Sequence, residues 1–172
     1  MRTTLIATSL LLTAGIATAA DAPARKSGLW EVTNNMSGPH PMTTTMQQCV
    51  DEKTDKLTEQ TGQREAQQNC SKNEVSRSGG KVISDSVCKF DGTTATTHAE
   101  FSGDFGSNYR GDIKTTYNPP MHGMKESQMV ITAKWLGPCK AGMKPGDVMM
   151  QGIPGMPAGM KFNPADMQKQ MR

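Results

Sequence analysis

Apolar and polar positions alternate with a period of two through most of the middle of this chain, the pattern of half-buried β-strands. Between Thr93 and Ser102, Ala95, Thr97, Ala99 and Phe101 fall on one face, and Thr96, His98 and Glu100 on the other. From Asn108 to Tyr117, Tyr109, Gly111, Ile113, Thr115 and Tyr117 oppose Arg110, Asp112, Lys114 and Thr116, and Met129, Ile131, Ala133 and Trp135 mark one face of Ser127–Leu136. Trp30, Val32 and Met36 do the same after Gly28, and a threonine-rich strand follows from Met42 to Val50. Turn residues separate these runs: Ser37-Gly38-Pro39-His40-Pro41, Asp91-Gly92, Gly103-Asp104-Phe105-Gly106 and Asn118 to Gly123. Folding neighbouring strands about Phe105 and His122 aligns their inner faces. Phe101 then meets Tyr109, Thr97 meets Ile113, Ile113 meets Ile131 and Tyr109 meets Trp135, while Glu100 meets Arg110 and His98 meets Asp112 outside.

The stretch Cys70–Cys88 reads as a further hairpin, with Ser78-Gly79-Gly80 as its turn and Val75, Val82, Ile83 and Val87 among polar residues in its arms. Pairing without a bulge places Cys70 opposite Cys88, within reach of a disulfide. The chain has four cysteines and no C-x-x-C pair, which favours disulfides over a zinc site. Four cysteines allow three pairings; with Cys70–Cys88 taken, Cys49 and Cys139 remain for each other.

Residues 1–19 read as a signal peptide: a basic start at Arg2, an apolar run from Leu5 to Ile16, and Ala17-Thr18-Ala19 as the cleavage site. That run is too short to span a membrane, so the mature chain is expected to be periplasmic or secreted, with no transmembrane segment. Residues 20–140 then form one disulfide-stapled β domain. Ala22 to Lys26 reads as a linker, and Asp51 to about Gln68 as a short helix or ordered loop. Residues 141–172 form a Met-, Gly- and Pro-rich flexible tail, closed by a short helix after Asn163-Pro164.

The whole chain carries a net charge of +3. Removing the leader, which contains Arg2, leaves a small excess of mixed charges, and this argues against nucleic acid as a partner. Hydrophobic residues make up only 35% of the chain, so the core must be thin and the disulfides must support it. Catalytic signatures are weak. His98 and Asp112 lie on a polar strand face beside Glu100 and Arg110, where charge pairing accounts for them, and Ser86-Val87-Cys88-Lys89 lacks the helix that an S-x-x-K nucleophile requires. No enzyme activity and no cofactor are expected. Methionine, at 14 residues, is the one excess with chemical potential, because thioethers are soft ligands for Cu(I). Met121 and Met124 flank His122, Met36 and Met42 flank His40, and Met143, Met149, Met150, Met156, Met160, Met167 and Met171 lie in the tail.

The pieces Gly28-Leu29-Trp30-Glu31-Val32-Thr33, Gln47-Gln48-Cys49-Val50, Cys70, Cys88 and Gly137-Pro138-Cys139 resemble small bacterial periplasmic proteins of the domain of unknown function 3617 family. The resemblance runs from about Ser27 to Lys140 and implies the compartment and the disulfides, with no activity to transfer. The expected fold is all-β: a curved antiparallel meander of about seven strands, as an open or partial barrel. One face, carrying Trp30, Phe101, Tyr109, Ile113, Tyr117, Ile131 and Trp135, is a candidate surface for a small apolar ligand. The expected role is a binding or envelope-associated module, with an envelope protein as another partner class and periplasmic copper binding through Met and His as the alternative.

Overall fold

The computed structural model describes residues 24–38, 41–55, 69–151, 159–164 and 166–167. The signal peptide at 1–19, the helix or loop expected beyond Asp55, and His40 lie outside the described residues. Nine strands run in chain order: β1 (Gly28–Ser37), β2 (Met42–Val50), β3 (Cys70–Ser78), β4 (Lys81–Phe90), β5 (Thr93–Gly103), β6 (Asn108–Met121), β7 (Met124–Gly137), β8 (Val148–Gln151) and β9 (Lys161–Phe162). They form one antiparallel sheet in the order β3-β4-β5-β6-β7-β1-β2-β8-β9. β3 to β7 are the expected meander, and the β1–β2 hairpin joins its far side because β1 pairs with β7 as well as β2. The sheet is open, with β3 and β9 at its edges.

Hairpin turns form where the chemistry asked for them. Gly79-Gly80, Asp91-Gly92 and His122-Gly123 all have positive φ at both positions, the requirement of a two-residue type I′ turn. The registers differ from simple folding in three places. In β3–β4 the turn centres between Gly79 and Gly80, so an unbulged ladder would bring Ser71 to Cys88. One extra residue on β3 restores the pair Cys70↔Cys88.

In β5–β6, Phe101 faces Gly111 rather than Tyr109, Ala99 faces Ile113, Glu100 faces Asp112 and His98 faces Lys114. The cause is the loop. The Asp104 carboxylate accepts the backbone N–H groups of Gly106, Ser107 and Asn108, which moves the turn centre from Phe105 to Gly106. In β6–β7, Tyr109 faces Ala133 and Gly111 faces Ile131, with Ile113 opposite Met129. Four residues of β6, 117–120, there oppose one residue of β7, and two of the four are prolines with no N–H to give the ladder. Both slips are of two residues, so every side chain keeps its face.

The stretch expected to be a flexible tail adds two strands, which is why nine form instead of about seven. Cys49 N–H donates to the Asp147 carbonyl, and Gly146 N–H donates to the Cys49 carbonyl. Val148 and Asp147 are buried there, and Asp147 gathers the Lys144 N–H, the Asn163 amide and the Lys161 ammonium. Asp147 is held below the usual carboxylate range chiefly by the Lys144 N–H, with Asn163 and Lys161 adding to it. Pro164, Asp166 and Met167 follow in a helical turn, begun by N–H bonds of Asp166 and Met167 to the Asn163 carbonyl.

The core is Trp30, Val32, Val50, Val82, Phe105, Tyr109 and Ala133, with Met46, Val75, Phe101, Ile131 and Trp135 packed against it. Phe105 turns inward from its loop and stacks on Tyr109 at 5.5 Å, and Trp30 leans on the same ring at 5.7 Å. Below them lies a buried ion pair. The Arg25 guanidinium donates twice to Asp55, at 2.9 Å from Nε and 2.7 Å from Nη2, and once each to Gln48 and the Tyr109 hydroxyl. Both charged side chains are only 1% exposed. The neighbouring backbone completes this base: the Trp30 indole donates to the Lys26 carbonyl, and the Trp135 indole donates to that of Ser27. Gly28 is required here, because a Cβ would meet the Gly137 carbonyl and the Trp135 indole nitrogen at 2.4 Å.

Both expected disulfides form, Cys49–Cys139 spanning 90 residues and Cys70–Cys88 spanning 18. Loop entropy makes the longer one the stronger constraint on the unfolded chain: Cys139→Ser is expected to cost about 4–5 kcal/mol against about 3 for Cys70→Ser. Urea unfolding of the two variants measures the difference, and equal costs contradict the ranking. Asp55→Asn removes the carboxylate charge from buried Arg25 and is expected to cost about 3–5 kcal/mol in the same assay. The double variant Arg25→Leu/Asp55→Leu should lose less than the sum of the two single changes.

Candidate functional site

The pairing places all seven candidate ligand-face residues on one side of the sheet. Trp30 stands across from Trp135, Ile131 from Gly111, Gly111 from Phe101, and Ile113 from Ala99, while Tyr117 faces Ala95. The face has two halves. At the end capped by Arg25 and Phe105, Trp30 is 0% and Tyr109 5% exposed, so these two are core and out of a ligand's reach. Burial raises the Tyr109 phenol pKa, and the Arg25 charge works against that shift. Phe101 and Trp135 are half-buried and pack on this core; the Trp135 ring also carries the Lys26 ammonium at 3.7 Å.

Toward the other end Ile113, Tyr117, Ile131 and Met129 are half-buried. Hydroxyls interleave with them: Thr97 and Thr115 hydrogen-bond at 3.0 Å, as do Tyr117 and Ser127. Small residues dominate the adjoining strands, with Ser84 and Ser86 on β4, Ala95 and Ala99 on β5, and Gly111 on β6. The Phe101 ring uses the space at Gly111, where a Cβ would come within 2.6 Å of it.

The opposite face is charged. His98 Nδ1 lies 2.7 Å from Asp85 and its Nε2 3.4 Å from Glu100, which also binds Lys81 at 2.6 Å. Arg110 holds Asp112 from the same strand with two hydrogen bonds. His98 is therefore paired with Asp85, not Asp112, and both ring nitrogens face carboxylates where a triad histidine would turn one to a hydroxyl. A shallow depression of about 250 Å³ lies here, lined by His98, Glu100, Asp112, Lys114, Gln128 and Val130 among others. Among the described residues no group of three or more His, Cys, Asp or Glu could hold a metal.

Some contributors were missed in the sequence. The sequence pattern places Phe105 in a turn and Arg25 in a linker; a large aromatic inside a Gly-Asp-Phe-Gly turn is the available signal for the first. Among the described copper candidates, Met121 pairs with Met124 across the His122 turn, and Met36 pairs with Met42.

The His98 imidazole pKa is raised above its ordinary value by its hydrogen bonds to Asp85 and then Glu100. A raised histidine contributes stability below the unfolded pKa, about 6.5, and loses it as pH rises through the folded value. An NMR titration is expected to place His98 above 6.5 and to bring it down in Asp85→Asn. A titration indistinguishable between the two proteins would contradict the pairing.

No curated protein and no solved structure matches the chain. No helix among the described residues is long and apolar enough to cross a membrane. The two disulfides are of the kind that persists in oxidising compartments. The family described as Protein of unknown function (DUF3617) matches residues 25–139, from the arginine of the buried pair to the last disulfide cysteine. That match covers well over half of the chain and runs through β1 to β7, so the protein belongs to the DUF3617 family.

Proposed function

We propose that this protein is an exported, non-enzymatic binding module of the bacterial envelope that takes a small apolar ligand on the half-buried part of its apolar face. One observation carries the reading. A sheet with an apolar face needs a second layer over it, and among the described residues Arg25 and Phe105 supply one at the Trp30–Tyr109 end, where the large side chains are fully buried. Toward the other end Ile113, Tyr117, Ile131 and Met129 stay half-buried, with hydroxyls of Thr97, Thr115 and Ser127 among them. Apolar walls with a few interspersed polar groups are the usual lining of a ligand site. The leader at 1–19 and the disulfides favour the periplasm as the compartment.

The environment-sensitive dye N-phenyl-1-naphthylamine tests it. The full-length mature protein is expected to enhance the dye's fluorescence with saturation. Ile113→Asp, which places a carboxylate in the middle of the half-buried row, is expected to weaken binding by about tenfold or more, equivalent to about 1.4 kcal/mol. Glu126→Gln on the opposite face should leave it unchanged. Absence of saturable enhancement, or equal binding by Ile113→Asp that still melts cooperatively, overturns the proposal.

A further inference from the structure

At the open rim of the apolar face, three methionines stand side by side on three neighbouring strands. Met36 of β1 lies directly across from Met42 of β2 on one side and from Met129 of β7 on the other. All three point to the Trp30 face, since each lies an even number of positions from a residue paired in that row: Met36 from Trp30, Met42 from Gln48, Met129 from Trp135. The outer two backbones are roughly 10 Å apart, two strand spacings. Unbranched side chains with three rotatable bonds can close that span toward the central thioether. The side chains are also reachable from solvent: Met42 is 54% and Met36 37% exposed, and Met129 is half-buried.

We propose that Met36, Met42 and Met129 form a three-thioether site for Cu(I). Neutral, polarizable sulfur suits a soft monovalent ion and discriminates against zinc, calcium and magnesium, which want imidazole, thiolate or oxygen donors. All four cysteines are in disulfides, so no thiol on this chain competes for the ion. Met36 and Met42, two large exposed apolar side chains at paired strand positions, are otherwise a liability, and a metal that draws them together with Met129 accounts for their place at the rim. The site goes beyond the apolar-ligand reading and shares only Met129 with that face, so Met36→Leu tests it without touching Ile113, Ile131, Tyr117 or Met129.

Titration of the disulfide-intact, full-length mature protein with Cu(I) against a competing chelator tests the site, with Ag(I) as a probe that does not change oxidation state. Met36→Leu keeps volume and apolarity while removing the central sulfur. Wild type is expected to hold a single equivalent, and Met36→Leu to lose about tenfold or more in affinity. Met167→Leu, far along the chain, should match wild type. The ε-methyl NMR signals of Met36, Met42 and Met129 should shift together on adding Ag(I). Failure of wild type to retain an equivalent, wild-type affinity in Met36→Leu, or methyl shifts confined to other methionines would each overturn the proposal.

Discussion

The closed end of this sheet depends on the ion pair between Arg25 and Asp55. It ties the segment before β1 to the turn after β2, thirty residues on, and reaches from there to Gln48 on β2 and Tyr109 on β6. Burial by itself would lower the Arg25 pKa, yet the hydrogen bonds and charge of Asp55 carry it above its ordinary value, so the guanidinium stays charged. A buried pair of this kind gains little net stability over apolar side chains of similar size. What it supplies is position. Two parallel N–H···O bonds fix the plane of the guanidinium, and with it the level at which Lys26, Ser27 and the two indoles meet.

Around that base the molecule compensates for a thin core by covalent and polar means. Cys49–Cys139 joins β2 to the residue just past β7, although β1 lies between those strands in the sheet. The chain after Cys139 then folds back on Cys49, whose backbone bonds on both sides to residues 146 and 147. Asp147 serves this return loop as Asp104 serves the β5–β6 loop: the Asp104 carboxylate collects three backbone N–H groups, and the Asp147 carboxylate collects that of Lys144 together with the Asn163 amide and the Lys161 ammonium. In both loops a short polar side chain stands in for secondary structure.

The strands and the faces they present were legible in the sequence because period-two alternation is a local property, and the hairpin turns carry their own glycines. Registers were legible only to within two residues. Counting from a turn assumes a turn length, and neither the grip of Asp104 on three N–H groups nor the irregular stretch at Pro119-Pro120 shows in the alternation. Because both slips are even, the assignment of Ile113, Ile131 and Tyr117 to one face survives them. Arg25 and β8 were illegible for a different reason. A lone arginine in Ala22–Lys26 and four residues of Val-Met-Met-Gln have no pattern of their own, and their partners are distant: Asp55 for the first, Thr45 to Gln48 for the second.

The large side chains of this face are thus fully buried at one end and half-buried at the other, and the residues around them differ in size. On β1 and β7 the inward positions near the cap are Trp30, Val32 and Trp135, and Phe105 adds a ring from outside the sheet. On β4, β5 and β6 the corresponding rows offer Ser84, Ala99, Ser86, Thr97 and Gly111. These small residues add little apolar area of their own, Ala99 being 6% exposed, so what this part of the face offers comes mainly from Ile113, Ile131 and Met129. Thr97 and Thr115 satisfy each other, as do Tyr117 and Ser127, which leaves Ile113, Ile131 and Met129 as the apolar groups beside two internally paired sets of hydroxyls. Hydroxyls that already have partners do not draw an incoming molecule by their unmet bonds. What this half of the face presents to a visitor is therefore chiefly apolar area, and shape more than hydrogen bonding must decide what fits on it.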